Sequence, residues 1–151
     1  MKKLRRILLI DDDDLTCFVN KLLLESMGVA HEVESITDPW LALKFILENY
    51  HRKPLTEKPG ADLIFLDISM PGMDGFEILD DMDALGIDRS RVFVVMLTTS
   101  INQHDRQKAA GYGDKLQGYL TKPLRKEDVE EVLLKLKPQL DKPGNSTEDD
   151  S

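Results

Sequence analysis

Asp62-Leu63-Ile64-Phe65-Leu66-Asp67-Ile68-Ser69-Met70-Pro71-Gly72-Met73-Asp74-Gly75 is the stretch whose reading decides the fold. Leu63 to Leu66 is an apolar run of strand length, suited to a strand buried on both faces. Asp67 ends that run. A Pro-Gly turn follows, and Asp74 with Glu77 three residues later has the pattern of a helix cap. Asp67 is therefore expected at the carboxyl end of a central strand, the edge where α/β sheets hold their ligands. Alone, one such aspartate is an ordinary turn or cap residue. Its meaning depends on the acids elsewhere in the chain.

Upstream, Ile7-Leu8-Leu9-Ile10 is a second apolar run, and Asp11 to Asp14 follow it at once. Leu15, Phe18, Val19, Leu22 and Leu23 then recur at helical spacing and predict one apolar packing stripe, ending near Gly28. His31 to Ile36 mixes polar and apolar positions, as a half-exposed edge strand does. Asp38-Pro39 predicts a capped helix whose inner face is Trp40, Leu43, Ile46, Leu47 and Tyr50. The segment from His51 to Gly60, with two prolines, reads as an exposed loop.

Downstream, Phe76, Ile78, Leu79 and Met82 mark a helix, and Val92 to Leu97 is another apolar run ending in Thr98-Thr99-Ser100. Ser100 with Gln103 predicts a capping box for a mostly polar helix from Asn102 to Lys108. Leu116 to Leu120 is the last strand, again mixed, and Lys122-Pro123 ends it. Val129, Val132, Leu133, Leu136 and Leu140 form the stripe of a closing helix. Five strands alternating with five helices predict a parallel sheet covered on both faces. The apolar first, third and fourth strands belong in the middle and the mixed second and fifth at the edges. The order 2-1-3-4-5 satisfies this and puts the switch point between the first and third strands.

The chain has 151 residues and a net charge of -8, which suits one globular domain, expected over residues 3–140. Residues 141–151 are polar and acidic, and are expected to form a disordered tail. The acidity argues against direct contact with nucleic acid. Cys17 is expected to be a small buried apolar group, and one cysteine fits a reducing cytoplasm. The apolar run after the basic Met1 to Arg6 segment is too short for a signal peptide or a membrane span.

The predicted topology brings Asp11, Asp12, Asp67, Thr98 and Lys122 to one edge of the sheet. Converging carboxylates repel, by ~4 kcal/mol per pair at 4 Å and an effective dielectric near 20. A cation therefore belongs there, and an all-oxygen ligand set with room for water suits Mg²⁺. A lysine and a hydroxyl facing the metal suit a phosphoryl group, with Asp67 placed as nucleophile.

Ile7 to Asp14, Leu63 to Gly75, Val94 to Ser100 and Gly118 to Leu124 together resemble the receiver domain of two-component response regulators, of the single-domain, chemotaxis-regulator-like kind. The resemblance runs from about Lys3 to Leu140. It implies a flavodoxin-like fold and transfer of a phosphoryl group from a histidine kinase or phosphotransfer protein to Asp67. It further implies Mg²⁺ held directly by Asp12, Asp67 and the main-chain carbonyl of Ser69, and through water by Asp11. Lys122 would contact the phosphoryl oxygens, the Lys122-Pro123 bond would be cis, and Thr98 and Tyr119 would form a switch pair. Catalysis would be limited to the chain's own phosphorylation and dephosphorylation. Output would pass by protein–protein contact through the fourth helix, fifth strand and fifth helix.

Two other readings compete. Asp12-Asp13-Asp14-Leu15-Thr16 satisfies the D-x-D-x-T motif of haloacid dehalogenase-type phosphatases, but one residue late, and that reading leaves Asp67 without a role. A receiver-like module that never takes phosphate would not need the complete acid, hydroxyl and lysine set.

Overall fold

The computed structural model describes residues 3–51 and 60–141. The strands are β1 (Leu4–Ile10), β2 (Ala30–Ile36), β3 (Asp62–Leu66), β4 (Val92–Thr98) and β5 (Gly118–Thr121). They alternate with α1 (Asp14–Met27), α2 (Pro39–Tyr50), α3 (Gly75–Ala84), α4 (Gln103–Ala110) and α5 (Lys126–Leu140). All strand pairs are parallel, in the order β2-β1-β3-β4-β5. The middle strands are the apolar ones because both their faces are covered. Leu8, Ile10, Ile64, Leu66, Val94 and Met96 pack toward α2 and α3; Ile7, Leu9, Leu63, Phe65, Val95 and Leu97 pack toward α5. The expected exposed loop and disordered tail lie, but for His51, Gly60 and Asp141, outside the described residues.

Caps at several helix starts follow the sequence signals. Asp13 accepts from the Thr16 amide, Asp38 from Trp40 and Leu41, and Asp74 and Glu77 form a reciprocal capping box. Gly28 ends α1 in the left-handed region (φ 62°), as a helix-terminating glycine does. The five α5 positions expected to face inward are all buried.

Two helices turn differently from expectation. Leu15, Phe18, Val19 and Leu22 of α1 are 67, 60, 53 and 52% exposed, while Cys17, Asn20 and Leu24 are buried. Leu23 of the expected stripe is partly buried against the core, but the face turned to the sheet is that of Cys17, Asn20 and Leu24. Cys17 Sγ lies 3.4 Å from the Asp11 carbonyl, so compact side chains bring the helix start close to the end of β1. In α2, Ala42, Ile46 and Tyr50 are buried and Leu43 is partly so, but Trp40 and Leu47 face outward. The predicted Ser100 cap of α4 is also replaced: Asn102 accepts from the His104 amide, and Ser100 Oγ instead donates to Asp105.

β1 begins three residues before its apolar run because Arg5 and Arg6 have a partner. Asp62, fully buried at the start of β3, accepts from Arg5 Nε at 2.8 Å, Arg5 Nη2 at 3.2 Å and Tyr50 Oη at 2.5 Å. Arg6 Nη1 lies 3.5 Å from the same carboxylate. Burial, then the Asp62 charge, pushes the Tyr50 phenol well above its ordinary pKa, so it stays a donor. Removing the carboxylate would take an acceptor from the buried Tyr50 phenol and a counter-charge from both half-buried guanidiniums, Arg6 keeping Glu32 at 2.6 Å. Asp62→Ala is expected to lose about 3 kcal/mol of stability in urea unfolding. A loss below about 1 kcal/mol, the scale of a surface change, would mean that water replaces the network.

Candidate functional site

The site lies at the opposite edge of the sheet, where β1, β3, β4 and β5 end. Asp67 N donates to the Ile10 carbonyl (2.9 Å), fixing the end of β3 beside that of β1. The Lys122 amide donates to the Thr98 carbonyl (2.8 Å), fixing β5 beside β4. These bonds carry five residues, distant in sequence, to one place.

Asp11 and Asp67 are 6 and 5% exposed, whereas Asp12 is exposed. Each of the three offers a carboxylate oxygen, and those oxygens all lie within 4.8 Å of one another. Lys122 Nζ stands between the two buried carboxylates, 2.5 Å from Asp11 Oδ2 and 3.2 Å from Asp67 Oδ2. The ammonium therefore already offsets part of the repulsion expected from sequence. Burial raises the pKa of Asp67 above the usual carboxylate range; Lys122 opposes that rise, the Asp11 charge adds to it, and the Thr98 hydroxyl opposes it. Burial lowers the Lys122 pKa, but its bonds and charge attraction to Asp11 and Asp67 outweigh that, so the net shift is upward. The lysine remains an ammonium.

The surrounding backbone is shaped to this centre. The Asp13 amide donates to Asp11 Oδ1 (2.9 Å) and the Ser69 amide to Asp67 Oδ1 (3.4 Å). The Lys122-Pro123 peptide is cis. Gly75, which the sequence reading passed over, opens α3 directly against the Asp67 carbonyl: a Cβ there would sit 2.4 Å from that oxygen. A glycine in the first turn of a helix is a poor helix former, and that was the available signal of close approach.

Thr98, fully buried at the end of β4, accepts from the Ser100 amide at 3.2 Å. Tyr119 is half-buried, and its hydroxyl donates to the Ser100 carbonyl at 3.0 Å. Ser100 thus joins the two residues expected to act as a pair. Sequence reasoning had given it a helix cap instead.

Asp11, Asp12, Asp67, Lys122 and Thr98 are therefore together, and Tyr119 is linked to them through one loop residue. The donor set suits a hard divalent cation: the convergent side-chain ligands are all carboxylate oxygens, and exposed Asp12 leaves the site open to water. The rival phosphatase motif fares worse. Thr16, its last member, gives its hydroxyl to Asp13 as part of the α1 cap.

The family model for the response regulator receiver domain matches residues 7–134. Response regulator Rcp1 of Synechocystis sp. is 30% identical over 123 residues, covering 82% of this chain and 80% of that protein. The structure of a two-component response regulator from Cytophaga hutchinsonii aligns with a TM-score of 0.75 and 27% identity, covering 91% of this chain and 99% of that one. Sensor protein GacS of Pseudomonas syringae is 25% identical over 130 residues, which are 86% of this chain but only 13% of that protein's length. The flavodoxin-like order β2-β1-β3-β4-β5, the match over most of the chain and the convergent acidic edge lead to one conclusion: the chain belongs to the response regulator receiver family.

Proposed function

We propose that residues 3–140 form a receiver that accepts a phosphoryl group on Asp67 from a histidine kinase or phosphotransfer protein and in response alters a protein-binding surface. The observation that carries this reading is the meeting of three carboxylates, a lysine ammonium and a buried threonine at one sheet edge. An Asp67 carboxylate oxygen attacks phosphorus, the P–N bond to the donor imidazole breaks, and the imidazole leaves with the electron pair and takes up a proton. Asp12, Asp67 and the Ser69 carbonyl would hold Mg²⁺ directly and Asp11 through water. When bound, the ion supplies positive charge to the phosphoryl oxygens. Lys122 moves from Asp67 to a phosphoryl oxygen while keeping its bond to Asp11, and the Thr98 hydroxyl donates to another. Dephosphorylation is the same site used with water as the attacking group.

The exposed α1 stripe supports a location for the donor. Leu15, Phe18, Val19 and Leu22 form one face at helical spacing, and the helix starts two residues beyond Asp12. Trp40 extends the apolar surface toward the loop after Asp67, since its Nε1 lies 3.5 Å from where a Gly72 Cβ would be. A helix of a donor protein lying along this face would bring a phosphohistidine beside Asp67. The described residues include no helix long and apolar enough to cross a membrane. Output leaves through α4, β5 and α5 to a downstream protein. The net charge of -8 disfavours DNA as that target.

Metal should stabilise the fold. At a Mg²⁺ concentration of about 100 times Kd the gain is about 2.7 kcal/mol, read as a rise in melting temperature. Asp12→Ala should remove most of that rise, and an unchanged Mg²⁺ response would rule out Asp12 as a direct ligand. The donor face is tested by comparing two sources of phosphate. Phe18→Glu should slow transfer from a phosphorylated histidine kinase by about tenfold, the effect of losing one interface anchor, yet label normally with acetyl phosphate. Equal slowing with both donors would place the defect in the site, not in docking.

A further inference from the structure

α4 is unusual among the five helices in how it is held. Ala109 is its one buried residue, so apolar burial fixes little of it. Instead two cations on the helix lie on aromatic rings to either side. Arg106 Cζ is 4.8 Å from the centroid of the Tyr119 ring on β5. Lys108 Nζ is 4.7 Å from the Phe76 ring on α3, and that ring is also stacked with Tyr112. At its start, the helix is tied to the loop after β4 by Ser100 Oγ, which donates to Asp105 at 2.7 Å.

The two straps are not equivalent. Phe76 is buried and packed in the core, and Tyr112, stacked upon it, also donates its hydroxyl to Asp80 at 2.8 Å. That anchor is set in the core. Tyr119 is half-buried on an edge strand, and its hydroxyl meets the Ser100 carbonyl beside Thr98. Arg106 is therefore placed to join the helix to the ring that reports on the Thr98 loop.

We propose that Arg106 is a positioning residue that couples Tyr119 to α4, so that any displacement of the ring is carried to the helix through the guanidinium–ring contact. The inference rests on the phosphoacceptor reading of Asp67 for what moves the ring. The contact itself stands on the geometry. Cation–π attraction at a partly exposed site shifts an equilibrium by about two- to fivefold, enough to set where a weakly packed helix sits and too little to hold up the fold. Ser100 ties the start of the helix and Lys108 on Phe76 ties its later half, and Arg106 adds the strap that leads to Tyr119.

The test uses the full chain and three proteins: wild type, Arg106→Gln and Arg106→Lys. Without ligand, amide hydrogen exchange at residues 103–110 should quicken about two- to fivefold in Arg106→Gln and be largely restored in Arg106→Lys, which keeps a cation for the ring. Exchange in β3 and β4 should not change. With Mg²⁺ and beryllofluoride, a mimic of the acyl phosphate, wild type should shift around Asp67, at the Tyr119 ring and at amides 103–110. Arg106→Gln should keep the first two responses and lose most of the third. Full-size shifts at 103–110 in Arg106→Gln, or unchanged exchange there, would overturn the role of Arg106. If wild type shows no response around Asp67, the phosphoacceptor reading fails and the switching role of Arg106 fails with it. The exchange comparison would still decide whether Arg106 holds the helix.

Discussion

One ammonium between two buried carboxylates is the interaction on which the functional end of this protein depends. Asp11 and Asp67 have little contact with water, and Lys122 Nζ lies within salt-bridge distance of both. Carboxylates so placed would otherwise repel each other and lose the solvation that water gives them. The lysine can stand there only because β5 lies beside β4 and β1 beside β3. Sheet order, strand ends and site chemistry are therefore one constraint. A permuted order would separate the charges that now offset one another.

The same arrangement leaves the centre responsive. Lys122 shares itself between two acids, and exposed Asp12 adds a third that the lysine does not contact within salt-bridge distance. A cation or a phosphoryl group entering there would find ligands in place and a movable counter-charge. Thr98 and Ser100 connect that centre to Tyr119, and Tyr119 touches a helix with almost no buried surface. The middle strands of the sheet are buried and apolar; the loop and α4 are fastened by a few polar and cation–ring contacts. Elements of low local stability are the ones that can move when a site fills.

What could be read from the sequence was what periodicity and strand ends encode. Asp67 at the end of Leu63 to Leu66 located a central strand, and polarity alone separated edge strands from middle ones. The five-residue stripe of α5 was unambiguous because that helix has one apolar face. In α1 two faces compete: of the expected stripe only Leu23 packs against the core, while Leu15, Phe18, Val19 and Leu22 face outward and Cys17, Asn20 and Leu24 turn inward. Hydrophobic spacing fixes the period of a helix, not which of two stripes turns inward. That depends on how closely the helix must approach β1. Ser100 was misassigned for a related reason, since a hydroxyl at a loop start can cap a helix or bond a neighbouring side chain. The Asp62 network could not be seen at all. Its members are far apart in the chain, and only the pairing of β1 with β3 brings them together.

The central claim is that Asp67 is a Mg²⁺-dependent phosphoacceptor, and intact-protein mass after incubation with acetyl phosphate tests it most directly. The account predicts the gain of one phosphoryl group in wild type, none when the metal is chelated, and none in Asp67→Asn, whose amide keeps the shape of the side chain and loses the attacking charge. Full labelling of Asp67→Asn, or a wild-type mass that never changes with Mg²⁺ present, would contradict it.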